Sequence, residues 1–475
     1  MATPSHLRQI NQRGIIRAML RLGAASRAGL AKATGMSQPT AGKIVEELLA
    51  AGILEEAVGD SNGRSNGAQG TDACADPGCS APASPVSRET VAGRMGRPGQ
   101  LVQLDHERPR FLAIQLGVLH TRLAMLPVAI QDSDDWGAQI PTGQSPERWV
   151  ERVAKAAEGL MLRRMPADRA VARSVRRPNA NGVVGRGIRA VLLSVPGVVD
   201  ERSGHALLCP NLRWAEKVNL ADLLRGWWGG GVAVVQEIRA LALGHLAVER
   251  SGGDFLLVDF GDGVGGAAVV EGSLFESTIP LSGELGHTPV LGNTRPCGCG
   301  AVGCVETLVS RPGLLASFAG QSRCGPHTWG ALVRDVRQHG LRPWLTSALD
   351  AAAMTIAGAI NVLGVRRVII TGCLTELGQP VIAYVSDAIR RGAMWARLGQ
   401  VTCEGAPRRR MAGLVSAAID RILVPLDQEG MGAEIRDSER GAWIRETAGE
   451  FGDATGNQQR AAAHGRPSVS LKARQ

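Results

Sequence analysis

Five short apolar runs constrain this chain most. FLAIQLG (111–117), AVLLSVPGVVD (190–200), VAVVQEI (232–238), DFLLVDFGDGVGGAAVV (254–270) and RRVIITG (366–372) read as strands, and the stretches between them carry apolar residues at helical spacing. Strands alternating with helices up to about Val424 predict an α/β body over residues 109 to 424. At 475 residues the chain is too long for one ordinary core, so further domains with further tasks are expected.

The segment before the body has a different grammar. From His6 to Glu56, apolar residues recur at helical spacing through Ile15, Ile16, Met19, Leu20, Leu30, Ile44, Val45, Leu48 and Leu49, which predicts three helices. In LAKATGMSQPTAGKIVEEL, Gly35 ends one helix and Ser37 caps the next, with Pro39 in the first turn, where its missing N–H costs nothing. This is helix-turn-helix grammar. Gln38, Thr40 and Lys43 face outward from the second helix, where Gln can pair with adenine and Lys can meet a guanine edge or a phosphate. AAGILEEAVG leads out and GQLVQLD returns as a β-hairpin wing, with Arg94 and Arg97 of GRMGRPG at its tip for phosphates or a narrow minor groove. A docking or dimerisation module is the alternative reading of the same helices. Gly42 inside the second helix is a local conflict that costs about 1 kcal/mol relative to Ala.

The DNA-binding domain thus covers 6 to 104, interrupted at 58 to 92 by a Gly-, Ser-, Ala- and Asp-rich stretch too poor in large apolar residues to order itself. Residues 165 to 190 read as a second insertion, and 427 to 475 as a disordered tail. A net charge of +9 suits a polyanionic partner but is weak support, because the arginines are scattered. No apolar run is long and uninterrupted enough for a bilayer, no leader pattern stands at the N-terminus, and the nine cysteines are irregularly placed. A soluble cytoplasmic protein is expected.

CGCGAVGCVE (297–306) places Cys297, Cys299 and Cys304 in one glycine-rich turn, where Gly298, Gly300 and Gly303 let the chain curl until the thiolates converge. They leave one tetrahedral position, and His287 in LSGELGHTPVLG is the nearest candidate for it. A Cys3His set favours Zn²⁺, and four protein ligands leave no place for an activated water, so the metal would be structural. A disulfide between two of the three is the alternative; a reducing compartment disfavours it, and it would leave an odd thiol. Cys74, Cys79, Cys209, Cys324, Cys373 and Cys403 read as ordinary thiols.

With GELGH (283–287) followed by CGCGAVGCVE, the sequence resembles the ROK family of sugar-responsive repressors, sugar kinases and uncharacterised relatives, over residues 8 to 424. PGVVD (196–200), PNLRW (210–214), VVQEI (234–238) and the N-terminal module, which the repressor branch carries, share in the resemblance. It implies a winged helix-turn-helix followed by a two-lobed actin-like ATPase, or ribonuclease H-like, sugar-kinase fold, with ligand between the lobes. Glu284, His287 and Glu306 would then face a sugar, and Gly197 and Asn211 would line the same cleft. A carboxylate can accept from two neighbouring hydroxyls, and His287 could hold zinc with one ring nitrogen and turn the other to the ligand.

The same resemblance separates kinase from sensor. Family kinases carry Asn-Asp, with Asp as general base, where this chain has Gln236 and Glu237, and an Asp-x-Gly-Gly-Thr-like turn where it has Gln115, Gly117, Val118 and Leu119. GDGVGG (261–266) keeps part of the second phosphate loop, but TGCL (371–374) has Cys373 where the family has glycine. A displaced base and missing phosphate and Mg²⁺ contacts predict no catalysis. The chain is therefore expected to be a transcriptional repressor that binds a double-stranded DNA operator as a homodimer or dimer of dimers and senses a sugar or sugar phosphate. The alternatives are an ATP-dependent sugar kinase that keeps a DNA-binding domain, and a regulator that has lost its ligand, since Gln236 and Glu237 also alter the sugar-contacting edge.

Overall fold

The apolar runs fold into two sheets of one plan. A computed structural model describes residues 4–57, 100–132, 134–164, 188–249, 253–277, 282–321 and 327–423. The expected insertion at 58 to 92, the stretch from 165 up to Ile188 and the tail at 427 to 475 lie outside the described residues, as do Arg94, Arg97, Cys74, Cys79 and Cys324. The chain divides into two units, one Gly14–Asp105 and the other Met1–Arg13 with His106–Gln475.

In the smaller unit, Ile15, Ile16 and Met19, from the helix Pro4–Leu22, are buried, as are Leu30, Ile44, Val45 and Leu48. The helix Arg27–Thr34 starts at Ser26, whose side chain accepts from the Gly29 N–H at 3.1 Å, and ends at Gly35 in the left-handed region. Ser37 then caps Gln38–Ala50, accepting from the Thr40 N–H at 3.3 Å, with Pro39 in the first turn. Leu54–Glu56 and Leu101–Leu104 pair antiparallel with Leu54 opposite Leu104, and Ala25–Ser26 adds a third strand beside Leu101–Leu104.

In the larger unit, Phe111–Leu116, His120–Leu126 and Ala138–Pro141 form an antiparallel meander, and Ala190–Val195 and then Gly231–Gln236 join Phe111–Leu116 in parallel. The second sheet repeats this with the meander Phe255–Phe260, Val264–Val270 and Ser273–Leu274, and the parallel strands Arg367–Gly372 and Thr402–Gly405. Numbered by chain order within each sheet, both run 3-2-1-4-5. Ala190–Val195 and Phe255–Phe260 read as continuous apolar runs because they are covered on both faces and buried along their whole length, whereas the edge strand Thr402–Gly405 is largely exposed.

Three of the predicted strands end earlier than the apolar run, DFLLVDFGDGVGGAAVV turning at Gly261 to Gly263 into the antiparallel pair Phe255–Phe260 and Val264–Val270. AVLLSVPGVVD breaks at Pro196 and Gly197, where proline cannot donate to a ladder and Gly197 turns with φ of 80°, so Val198–Asp200 pairs instead with His205–Leu208. VAVVQEI stops at Gln236, and Glu237 opens the helix Glu237–Val248.

One core lies between the first sheet and the helices Pro146–Arg164 and Leu220–Trp228, with Trp149 at 0% exposure. The other lies beneath Pro343–Leu363 and Gln379–Gly392. Pro343–Leu363 is long and apolar enough to cross a membrane by length and composition, but Leu345, Leu349, Ile356 and Ile360 on one side of it pack into this core. Between the sheets, Glu237–Val248 lays Ile238 and Leu241 on Leu257, Val269 and Ile369 of the second sheet. Arg410–Ala418 crosses it and packs on the first sheet. The crossing needs Gly244 and Gly413: a methyl at 413 would land on the Ala240 carbonyl oxygen, and one at 244 on that of Arg409. The chain entering that last helix is thereby pinned between the two sheets, at the floor of the cleft they enclose.

Candidate functional site

A cleft of ≈ 520 Å³ opens where the C-terminal ends of the parallel strands face each other. Gly197, Asn211, Gln236, Glu237, Glu284, His287 and Glu306, drawn from five separate segments, all line it. Gln236 is buried, donating from Nε2 to the Gly197 carbonyl at 2.9 Å and to Glu284 Oε1 at 3.4 Å. Burial, with Glu306 adding its charge, pushes the Glu284 carboxyl up to about 7. Glu306 opens a short helix, and its Oε2 accepts from the Val264 N–H at 2.8 Å. Two carboxylates and the Gln236 amide thus converge on the cleft.

The metal-type cluster forms the wall behind them. Ligand atoms of His287, Cys297, Cys299 and Cys304 lie within 4.8 Å of one another, so the four could hold a metal. Cys299 Sγ lies 3.8 Å from Cys304 Sγ, and the three cysteines are free thiols, not a disulfide pair. The turn is closed by its own backbone, with the Cys297 N–H donating to the Ala301 carbonyl at 2.8 Å and the Gly303 N–H to that of Arg295 at 2.9 Å. His287 points Nδ1 at Cys297 Sγ, 3.6 Å away, and Nε2 at Glu284 Oε2, also 3.6 Å away. One imidazole therefore joins the cluster to the carboxylate wall. From the first lobe, Arg213 of PNLRW donates to the Gly298 carbonyl at 3.2 Å, bringing Asn211 beside the turn. Cys209 and Cys373 lie apart as buried thiols, each pushed up to about 12 chiefly by burial.

The opposite end of the cleft holds residues that the sequence did not single out. Arg410, 3% exposed, donates to Glu237 and, at 3.3 Å, to Asp134; Gln115 Nε2 donates to the same Glu237 oxygen at 3.1 Å. Arg408 grips Asp259 with two bonds of 2.7 and 2.8 Å, and the Thr371 hydroxyl adds a third at 2.7 Å. Burial alone would raise the Asp259 carboxyl, but Arg408 more than offsets it and holds it below its usual value. The Arg408 guanidinium lies between two glycine turns: a Cβ on Gly261 would come within 2.8 Å of its Nη2, and one on Gly372 within 2.7 Å. The space those glycines clear is filled by an arginine. Its only signal in sequence is the run PRRRMAG just before the last helix, in which each arginine meets a different carboxylate, Arg409 taking Asp132 at 2.5 Å.

In the smaller unit, Gln38, Thr40 and Lys43 are all exposed on their helix. Ser37 is committed to its cap and to the Thr40 hydroxyl, 2.8 Å away.

Comparison with known proteins follows from this geometry. The ROK family profile matches residues 179–419. The xylose repressor of Caldicellulosiruptor bescii is 24% identical over 421 residues, covering 85% of this chain and 93% of the repressor. A glucokinase of Halalkalibacterium halodurans is 25% identical over 298 residues, 58% of this chain and 84% of the enzyme. Among solved structures, a ROK family transcriptional regulator, a homologue of the E. coli MLC protein, superposes with a TM-score of 0.60 at 17% identity, covering 87% of this chain and 97% of its own.

Proposed function

The chain belongs to the ROK family, and we propose that within it this protein is a DNA-binding transcriptional repressor, not a kinase, whose cleft senses a sugar. The observation that carries this reading is the state of Glu237. A general base must present a free carboxylate to a substrate hydroxyl; here Arg410 and Gln115 both donate to one Glu237 oxygen, and Arg410 is itself buried. The arrangement commits that oxygen to a buried ion pair and a second donor, so a substrate hydroxyl would have to compete with both for it. Arg408, seated between the glycine turns, further removes the room a phosphate would need. The carboxylates on the other wall are the part suited to hydroxyl recognition, since each can accept from two neighbouring hydroxyls.

Similarity to the xylose repressor runs through most of both chains, which supports assigning the smaller unit, residues 6 to 104 with its insertion, to DNA binding. Gln38, Thr40 and Lys43 would enter the major groove, Ser37 would hold the helix start, and Arg94 and Arg97 would reach the backbone or minor groove. A homodimer would pair two such heads on half-sites about one helical turn apart. Sugar would act by favouring one lobe arrangement and so one spacing of the heads.

Zinc is the ion that the cluster fits. Tetrahedral bonds of about 2.3 Å to sulfur and 2.0–2.1 Å to nitrogen put neighbouring ligand atoms roughly 3.5–3.8 Å apart. The separations of 3.6 Å for His287 with Cys297 and 3.8 Å for Cys299 with Cys304 match. Zinc there would be structural, and a reducing cytoplasm would keep its thiol ligands available. It would fix the turn, so that Glu306 and His287 keep their positions in the cleft.

Genome-wide mapping of sites bound by the full chain, with and without sugars, tests the reading. Discrete bound sites that Gln38→Ala and Lys43→Ala weaken, and that one sugar alters, are the expected result. Binding without sequence preference, unchanged by those substitutions and by every sugar, would overturn it.

A further inference from the structure

Beside the polar cleft lies a second cavity of ≈ 570 Å³. The two share Val118, Leu119, Pro210, Asn211, Asp262 and Glu306 in their walls, so a group held by Asn211 or Glu306 has the second cavity directly at its flank. The chemistry changes across that boundary. Pro296, Pro312 and Ala316 extend Val118, Leu119 and Pro210 into a wall rich in aliphatic and ring carbons. Leu119 stands 71% exposed at the shared lip. A single exposed leucine is ordinary, but one that continues a concave apolar wall next to convergent polar groups has the character of a ligand site.

Charge narrows the ligand further. Arg311 is bound to Glu376 at 2.5 Å and stacked on Trp329 at 4.3 Å, and Arg408 is bound to Asp259. Arg122, at the mouth, donates to Gln139 at 3.1 Å. Glu284, Glu306 and Asp262 line the space itself. A phosphate in the polar cleft would meet three carboxylates, and Arg311 and Arg408 could answer it only by leaving the carboxylates they hold. Arg295, in the wall of the second cavity, is taken up by the Thr307 and Gly313 carbonyls and the Ser317 hydroxyl.

We infer that the effector is an uncharged glycoside: one sugar ring with its hydroxyls on Glu284, His287 and Glu306, and a second ring against Leu119, Pro210 and Pro312. The second ring is another sugar or an aryl aglycone. Either presents a face of C–H or π character that packs on aliphatic and proline carbons and releases water. Small-ligand pockets run to about 300–1,000 Å³, so the polar cleft alone accommodates one ring and the adjoining cavity accommodates the other. This inference rests on the sugar-sensing reading above.

Calorimetric titration of the full zinc-loaded chain tests it with xylose, glucose, xylobiose, cellobiose, the 4-nitrophenyl xylosides and glucosides, and glucose 6-phosphate. For at least one sugar, a two-ring probe is expected to bind about tenfold more tightly than the free monosaccharide, and glucose 6-phosphate more weakly than glucose. The disaccharide and the aryl glycoside distinguish the two kinds of second ring. Ala316→Trp, at an exposed helix position on the apolar wall, is expected to erase the second-ring gain and leave monosaccharide affinity within about twofold. Equal affinity for one-ring and two-ring probes, or tighter binding of glucose 6-phosphate than of glucose, overturns the inference and leaves sugar sensing standing. Absence of binding by every probe removes the sugar-sensing reading with it.

Discussion

The two sheets of the body share a strand order and differ at the turns that face the cleft. In the second sheet the turn between the first two strands is Gly261-Asp262-Gly263, closed by a 2.8 Å bond from the Gly261 N–H to the Gly263 carbonyl and small enough for Arg408 to lie against it. The equivalent turn of the first sheet is Gly117-Val118-Leu119, which carries branched side chains into the same space. Phosphate recognition needs backbone donors and room; the first turn gives up the room, and the second yields it to an arginine. Strand packing holds the architecture in both lobes, whereas turn chemistry is free to change without disturbing either core. The family fold can therefore persist while the turns that face the cleft change.

The largest expected effect lies in the second lobe, which carries the metal-type cluster found among the described residues. Cys304→Ser, at a position 1% exposed, should abolish bound zinc and cost more than about 4 kcal/mol of stability. Metal analysis and thermal unfolding measure both, and full metal content with an unchanged Tm would remove the ligand assignment. Next comes the first lobe's dependence on Arg410. Arg410→Met strands Glu237 and Asp134 without their partner and should cost about 3–4 kcal/mol, with part recovered on adding Glu237→Gln. If the single substitution were neutral by chemical denaturation, Glu237 would be available as a base after all.

The second lobe's counterpart is the pair of Asp259 with Arg408. Because the folded state holds the Asp259 carboxyl below its unfolded value, the pair contributes stability above the ordinary carboxylate range and loses it as pH falls through the folded value. Asp259→Asn should then cost roughly 2 kcal/mol at neutral pH and progressively less in acid. A cost independent of pH would mean that shape, not charge, is what Asp259 supplies. The smallest effect is outside the body and of opposite sign. Nothing lies within 4 Å of a Cβ placed on Gly42, so Gly42→Ala should stabilise the smaller unit by about 1 kcal/mol. Stabilisation with weakened DNA binding would mark that helix face as the one that approaches DNA closely.

Much of this was legible in the sequence. Strands covered on both faces leave continuous apolar runs, so five runs could be read directly, whereas the exposed parallel strand Thr402–Gly405 left no such run; Gly35 and Ser37 announce their caps by residue type. The Cys3His set was legible because its spacing is local, with His287 only ten residues before Cys297. The strand ends were less so, since the apolar pattern runs on past Pro196 and Gln236, where the backbone changes direction. The arginine floor was not legible at all. Arg410 and Glu237 are separated by 173 positions, and a run of three arginines in sequence looks like a solvated surface segment. Only the crossing of the last helix at Gly244 and Gly413 carries those side chains inward, and that crossing is a property of the packed lobes.

The central claim is that this cleft reads a sugar without phosphorylating it. Titrating the purified, zinc-loaded chain with sugars and glycosides in the presence of ATP and Mg²⁺, while following ADP in the same sample, tests it most directly. The expected result is saturable heat of binding for at least one sugar, with ADP no higher than in the sugar-free control. Sugar-dependent ADP release at about 1 s⁻¹ or faster, the scale of an ordinary enzyme, would contradict the account.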